Sequence, residues 1–431
     1  LKYCHIVLFS ILSGLISLVA WADTVPTLTL DEAVQTALHN NLQLKAARAQ
    51  LNISEAAIQT AGARINPVFL GDNGIAEGTS RVGITQVFEL GGKRNNRIAL
   101  AKAQRDVAIS QFNTRLLDIR SDVRRVYTQL YNAQERQLTY QNIMQVSQEL
   151  VNIAKEREKA GDIAKLDVLQ TEIVNVNAQN DLQTTAKELV LSRNRLNTLL
   201  KQPLKTTIVL AAPNTTPQFL SPSPVQHHPG GPVLQGTITN GEADFDSLIQ
   251  AAYQRRPELQ QINRNLLVTQ REITVAKANR IPNFALTAGP DIVYKNLNNT
   301  VNQTSVFVTG TLEIPIFNRQ QGPIKETLAK QVQYQQEAEA LKTDIALEVT
   351  NAYTAYEMDQ ERTQRYEKTL LPYSIAIVDK SRKAFEEGKA SILIPINAQQ
   401  AYINTRLGYL QSLQDTQNDI SDLERAIGAG L

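Results

Sequence analysis

Beyond its fourth position this chain has no cysteine. Cys4 is the only one among 431 residues, so no disulfide can staple the remainder and cysteine-based nucleophiles or metal sites are excluded. Long hydrophobic runs are also missing. After Ala20 nothing approaches the ~18 consecutive apolar residues of a membrane helix, so a later crossing of a bilayer requires strands closed into a barrel. Aromatic residues make up 6% and hydrophobic residues 42%, too little for several compact cores. No sign of charge dominates: 44 basic and 42 acidic residues leave a net charge of +2. The charges are dispersed, which excludes a global field for nucleic acid.

Histidine is scarce as well. The four are His5, His39 and the pair His227-His228, none with a carboxylate or cysteine at ligand spacing. His227-His228 reads as a solvated loop feature, with a metal-binding pair as the alternative. Gly91-Gly92-Lys93 invites a phosphate-loop reading. It fails because Val87 stands where the first glycine is needed and Arg94 replaces the Ser/Thr. The expectation is no enzyme, no cofactor and no metal site.

Proline and glycine, the strongest breakers of regular structure, are almost absent between Lys93 and Pro203, where Gly161 is the only one of either. Two very long helices with a turn at Gly161 are therefore predicted. The first, roughly Asn95 to Lys159, spans about 95–100 Å at ~1.5 Å per residue.

What the chain does have starts with its N-terminus. Lys2, the apolar run Ile6–Ala20 and Ala20-Trp21-Ala22 fit a secretory leader, residues 1–22, cleaved near Ala22. A short membrane anchor is the alternative. Lipidation at the cleavage point is not expected, because Ala22 and Asp23 sit there.

The rest is written twice. At an offset of 215 residues, Ala37 falls on Ala252, Leu44 on Leu259, Leu51 on Leu266, Ile58 on Ile273 and Pro67 on Pro282. Each copy reads as a short amphipathic helix, a longer helix stopped by proline, strand character, and then a long helical hairpin. The first repeat is 23–202, with a β-hairpin at about 68–90 and a turn at Gly161. The second is 245–431, with a β-hairpin at about 284–317, a long helix opened by Pro323 at its first position, and a turn at Gly388. A Pro/Gly-rich linker, 203–244, joins them.

In the second strand region Val306, Val308, Leu312 and Ile314 alternate with Thr309, Thr311 and Glu313; earlier, Phe284, Leu286 and Ala288 alternate with Ala285 and Thr287. This two-residue period is that of a barrel with a lipid-facing outside and a wet lumen. A surface hairpin packed on helices gives the same pattern. The first copy (Val82, Ile84, Val87, Phe88) is weaker. Stripes such as Leu116, Ile119, Val123, Val126, Leu130 and Leu166, Leu169, Ile173, Val176 mark helix seams. A coiled-coil spacer would carry them too.

Taken together, the leader, the duplicated helix–hairpin–long-helix order and the paired glycine turns resemble the TolC-type outer-membrane efflux proteins, over nearly all of Leu28 to Leu431. Gly161 with Asp167-Val168-Leu169 and Glu172, and Gly388 with Ile396-Asn397-Ala398-Gln399, resemble the family's turns at the periplasmic tip. Phe88-Glu89-Leu90-Gly91-Gly92-Lys93-Arg94 is similar to the heavy-metal (CzcC/CusC-like) branch. The resemblance implies a mainly α chain with a small β part. Three chains would form a helical tunnel and, from four strands each, a 12-stranded barrel in outer-membrane lipid. It implies a passive exit duct partnered by a periplasmic membrane-fusion adaptor and an inner-membrane pump of the RND type, with heavy-metal cations as cargo. Drugs or a type I secreted protein are the alternatives, and a non-channel periplasmic coiled-coil protein is the alternative of another class.

The resemblance places Gly161, Asp167, Gly388, Ile394 and Asn397 at the inner aperture. Members often carry acids where Ile394 and Asn397 stand and a basic residue where Ala390 stands, so only Asp167 is acidic here. It either faces the aperture or merely begins the returning helix.

Overall fold

A computed structural model describes residues 27–74, 79–213, 238–239, 242–243, 245–293 and 303–429. The expected leader, His227-His228 and most of the linker lie outside the described residues. A short strand β1 (Thr27–Leu28) leads into α1 (Leu30–Asn40) and α2 (Leu42–Gly62). Thr29 starts α1 with a capping box: its hydroxyl accepts from the Glu32 N–H at 3.3 Å, and its own N–H donates to the Glu32 carboxylate at 2.9 Å. Asn41 breaks the chain between the two helices and caps α2, accepting from the N–H groups of Gln43 and Leu44 at 2.8 and 3.2 Å. Strands β2 (Val68–Gly74) and β3 (Thr79–Phe88) follow, then α3 (Lys93–Lys159) and α4 (Lys165–Leu200). With 67 residues, α3 runs about 100 Å at ~1.5 Å per residue.

Short strands β4 (Val209–Leu210), β5 (Ile238–Thr239) and β6 (Glu242–Ala243) precede the second half. There α5 (Phe245–Arg255), α6 (Pro257–Ala278), β7 (Phe284–Val293) and β8 (Gln303–Leu312) come in the same order as before. The last helices are α7 (Gln321–Arg365), a π-turn at Tyr366–Leu370, α8 (Leu371–Glu386) and α9 (Leu393–Ile427). Two expectations need correction. Helix α7 starts at Gln321, so Pro323 is its third residue; the first-turn N–H groups lack helical acceptors anyway, so proline is tolerated there. That long helix also does not keep one pitch: its backbone stays helical from α7 into α8 but passes through a π-turn. Pro372 has no N–H to give, and the Leu371 N–H reaches back five residues to the Tyr366 carbonyl. The Tyr366 side chain there lies on Gly408 of α9, where a Cβ would sit 2.5 Å from its hydroxyl oxygen.

The larger sheet has the order β2-β3-β7-β8, antiparallel throughout. Both hairpins therefore join through β3 and β7, and β2 and β8 are left as open edges. The ladder ends at Leu312, so Glu313 and Ile314 lie past the strand. Midway along α3 the small pair β1–β4 is parallel, and the Tyr127 hydroxyl lies 2.8 Å from the Leu28 carbonyl oxygen and 2.7 Å from that of Ala211.

Apolar cores are modest and spaced out along the helices. One gathers Ala33, Val34 and Ala37 of α1 against Ile119, Val123, Tyr127 and Leu130 of α3 and Leu196 and Leu200 of α4. Its counterpart gathers Leu248 and Ala252 of α5 against Ile345, Val349, Leu423 and Ile427. Between them the α3–α9 seam is polar: Arg124 meets Glu424 at 3.2 Å, Arg425 meets Asp118 at 3.0 Å and the Ser121 and Ser421 hydroxyls lie 3.1 Å apart. Arg125 pairs with Asp422 in the same seam. Small and polar residues bring two helices close without a thick greasy core.

Candidate functional site

The four-stranded sheet has two unlike faces. Because side chains alternate along a strand and the register is known, one face carries Phe69, Val82, Ile84, Phe88, Phe284, Leu286, Ala288, Ile292, Val306, Val308 and Leu312. On this chain Val306 is 78%, Val308 67% and Leu312 49% exposed, and Ile314 beyond the strand is 67% exposed. The opposite face carries Thr85, Thr287, Thr309 and Thr311, with Thr85 and Thr287 hydroxyls 2.8 Å apart, and an Arg81–Asp291 ion pair at 3.2 Å. Val68, Leu70 and Val87 belong to this second face too, so it is less uniform than the first.

Where the sheet turns into α3, the Glu89–Arg94 segment is fully engaged. Glu89 holds Arg97 through both carboxylate oxygens. Arg94 donates to the Gly62 carbonyl at 2.6 Å, and Lys93 donates to the Asn283 side chain at 2.5 Å. These bonds fix the sheet to α2, α3 and the strand approach of β7. Nothing in them is free to hold a cargo ion.

At the far ends of the hairpins the chain reverses twice in the same way. Gly161 has φ +82° and Gly388 φ +72°, a left-handed conformation that costs glycine nothing. Each ends its helix in a Schellman motif. The Asp162 N–H donates to the Arg157 carbonyl at 2.9 Å and the Gly161 N–H to that of Glu158 at 3.0 Å; the Lys389 N–H donates to the Ala384 carbonyl at 2.8 Å and the Gly388 N–H to that of Phe385 at 3.0 Å.

The two turns are adjacent. Phe385 is 1% exposed and packs with Leu150, Ile392, Ile153, Ile163 and Ile396. Arg157 stacks over its ring at 4.8 Å and donates to its carbonyl at 2.9 Å. Asp167 sits in the first turn of α4, its carboxylate accepting from the Ala164 N–H at 3.3 Å. Ile394 is 51% exposed, and Asn397 on the next turn of α9 is exposed. Arg157 and Phe385 are not visible from sequence, since they meet across 228 positions.

Two further surfaces are notable. Leu166, Leu169, Ile173 and Val176 of α4, and Tyr373, Ile375 and Ile377 of α8, are exposed on this chain, so the α4 stripe is not a seam within it. Midway along the second hairpin, Asp359 of α7 and Asp419 of α9 are neighbours. Burial pushes the Asp419 carboxyl up to about 7, helped by the charge of Asp359 and a hydrogen bond with it, and by Asp422 and Asp415. Arg362 bonds Asp415 at 2.6 Å and Asp359 at 3.3 Å. Among the described residues no group of three or more His, Cys, Asp or Glu is placed to hold a metal ion, and no helix is long and apolar enough to cross a membrane.

Paired helical hairpins that run into a small antiparallel sheet, apolar on one face and polar on the other, are the architecture of bacterial outer-membrane channel proteins. The chain belongs to the outer membrane efflux protein family, whose profile matches residues 33–201 and 248–429; it is a passive channel protein and not an enzyme. It is 24% identical over 408 residues to the cobalt-zinc-cadmium resistance protein CzcC of Cupriavidus metallidurans, covering 93% of this chain and 90% of that protein. Its fold is similar to that of CusC, with a TM-score of 0.71 at 18% identity over 93% of this chain and 92% of the other. The outer membrane protein VceC of Vibrio cholerae is similar too, with a TM-score of 0.67 at 16% identity over 93% and 96%.

Proposed function

We propose that three copies of this chain form one exit duct of a tripartite efflux system. The observation that carries this is the sheet: four strands, one apolar face and two unpaired edges. Open strand edges are not tolerated in lipid, and four strands fall short of the eight of the smallest usual membrane barrel. Three copies joined β8 to β2 close a 12-stranded barrel, with Val306, Val308 and Leu312 towards lipid, Ile314 at its margin, and the threonine face towards water. The exposed stripes of α4 and α8 then become contacts between copies. The hairpins continue as a tunnel through the periplasm, and the Gly161 and Gly388 turns form its inner mouth.

In this reading the chain is two repeats, 23–202 and 245–431, joined by 203–244, with a cleaved leader. Its partners are a periplasmic adaptor and an inner-membrane pump of the RND type. With Ile394 and Asn397 at the mouth and Asp167 engaged with Ala164, the aperture selects charge weakly. The pump therefore sets the cargo. Likeness to a cobalt-zinc-cadmium resistance protein supports heavy-metal cations; drugs or a type I secreted protein are the competing cargoes. A periplasmic spacer has no use for a sheet with one greasy face.

The test is the native mass of detergent-solubilised protein together with its conductance in a planar bilayer. A trimer that forms pores is expected, retained in outer membranes through a salt wash. A stable monomer without conductance refutes the reading.

A further inference from the structure

The polar face of the sheet carries one aromatic residue among those described, Phe307, and beneath it the wall is bare. Phe307 pairs with Gly289 in the register of β7 and β8, and Gly83 pairs with Leu70 in that of β2 and β3. A Cβ on Gly83 would sit 3.0 Å from Cζ of Phe307. Gly83 lies on β3, two strands away from Phe307, and neighbouring strands are ~4.8 Å apart. Only a ring laid flat across Gly289 reaches that far. Consistent with this, Phe307 is the one half-buried position of β8, whose other residues are exposed.

The niche is closed on its outer side by Arg81, whose guanidinium carbon is 5.8 Å from the ring centroid and which is anchored to Asp291. Its floor admits nothing larger. A Cβ on Gly289 would lie 1.9 Å from the Val82 carbonyl oxygen, and one on Gly83 would also meet the Ala288 carbonyl oxygen at 3.1 Å and Cγ2 of Thr287 at 3.4 Å.

We propose that Gly83 and Gly289 set the bore of the duct within the sheet by letting Phe307 lie flat on the wet wall. This rests on the reading that the polar face lines the lumen. A flat ring takes up only its own thickness, about 3.5–4 Å of van der Waals contact. Raised on a side chain at position 83, the same ring stands into the lumen, and a closed assembly repeats the obstruction three times.

Single-channel conductance of the purified protein tests this with a double-mutant cycle. Gly83→Val, a residue suited to strands, should lower conductance, and Phe307→Ala should leave it at or above the wild-type level. Gly83→Val combined with Phe307→Ala should return it to that of Phe307→Ala. Gly83→Ala, which displaces the ring by only tenths of an ångström, should show a smaller loss of the same sign. Wild-type conductance in both Gly83 variants, or a double variant as low as Gly83→Val alone, overturns the assignment.

The scarcity of cysteine supplies the separate check on the lumen itself. A charged, water-soluble thiol reagent should reduce the current through Phe307→Cys and leave Val308→Cys untouched. The reverse pattern defeats the wet-face reading. Normal labelling with a failed cycle defeats only the bore assignment.

Discussion

Replacing Phe385 by alanine should loosen the inner mouth and little else. The ring is 1% exposed, with Leu150 and Ile392 as its buried companions. Truncating such a phenylalanine costs about 3–5 kcal/mol, because the cavity cannot collapse fully. Arg157 also loses the face it stacks on, worth about 0.5–1 kcal/mol at a half-open site, although its bond to the backbone carbonyl survives. A separate apolar cluster around Tyr140, Ile143 and Ala178 begins about two helical turns above it and holds the hairpins together there, so the loss falls on local opening of the hairpin ends and not on global unfolding. At about 1.4 kcal/mol per tenfold change, amides near both turns should exchange about 300 to 20,000 times faster. Hydrogen exchange on the detergent-solubilised protein reads this directly. Peptides spanning 143–175 and 380–400 should lose protection, and those covering α1, α2 and the first half of α3 should not. Unchanged exchange at the turns, or a loss spread evenly over the chain, would refute the idea that the mouth is held by its own small core.

Lys201 ends α4 with φ +57°, where Gly428 ends α9 with φ +71°; Lys201→Gly should raise stability by about 0.5–1 kcal/mol, seen as a higher denaturation midpoint, and Gly428→Ala should lower it. Asp419, with its carboxyl raised to about 7, keeps its proton in the folded state at pH values where the unfolded chain has lost it. Stability should therefore fall as pH rises from about 4 to 7 and level off above, and Asp419→Asn should flatten that slope in thermal melts at a pH series. Val308→Arg should cost about 2–4 kcal/mol if the residue faces mid-bilayer and so block insertion, whereas Thr309→Arg should still assemble; equal yields of trimer for both would show that the faces are misread.

Local rules made much of this fold legible. A glycine that is alone in a hundred residues marks a reversal, and a two-residue period marks a strand. The π-turn at Tyr366–Leu370 was not legible. Pro372 announces a lost hydrogen bond, but whether the helix stops or slips one residue depends on Gly408 of α9, which makes room for Tyr366. The polar seam was equally hidden: Asp118 and Arg425 are 307 positions apart, and neither looks unusual among its neighbours. At the site, the turns at Gly161 and Gly388 could be read from sequence, but the small core that binds them together could not. The Glu89–Arg94 segment shows the opposite failure. Its pattern points to a branch of the family, yet its side chains are spent on holding the sheet to the helices.

The unbroken run of α3 makes the molecule a ruler that can be recut only in certain lengths. Each residue added to a helix advances it by ~1.5 Å and turns everything beyond by ~100°. One insertion between Tyr127 and Arg157 would therefore swing Arg157 away from Phe385 while leaving Tyr127 with Leu28 and Ala211. Seven residues restore the direction to within ~20°, but they lift the first turn by two helical pitches above the second unless α8 and α9 lengthen as well. Ducts of this design can therefore lengthen or shorten only in steps of about seven or eleven residues, two or three whole turns, and only in both hairpins together.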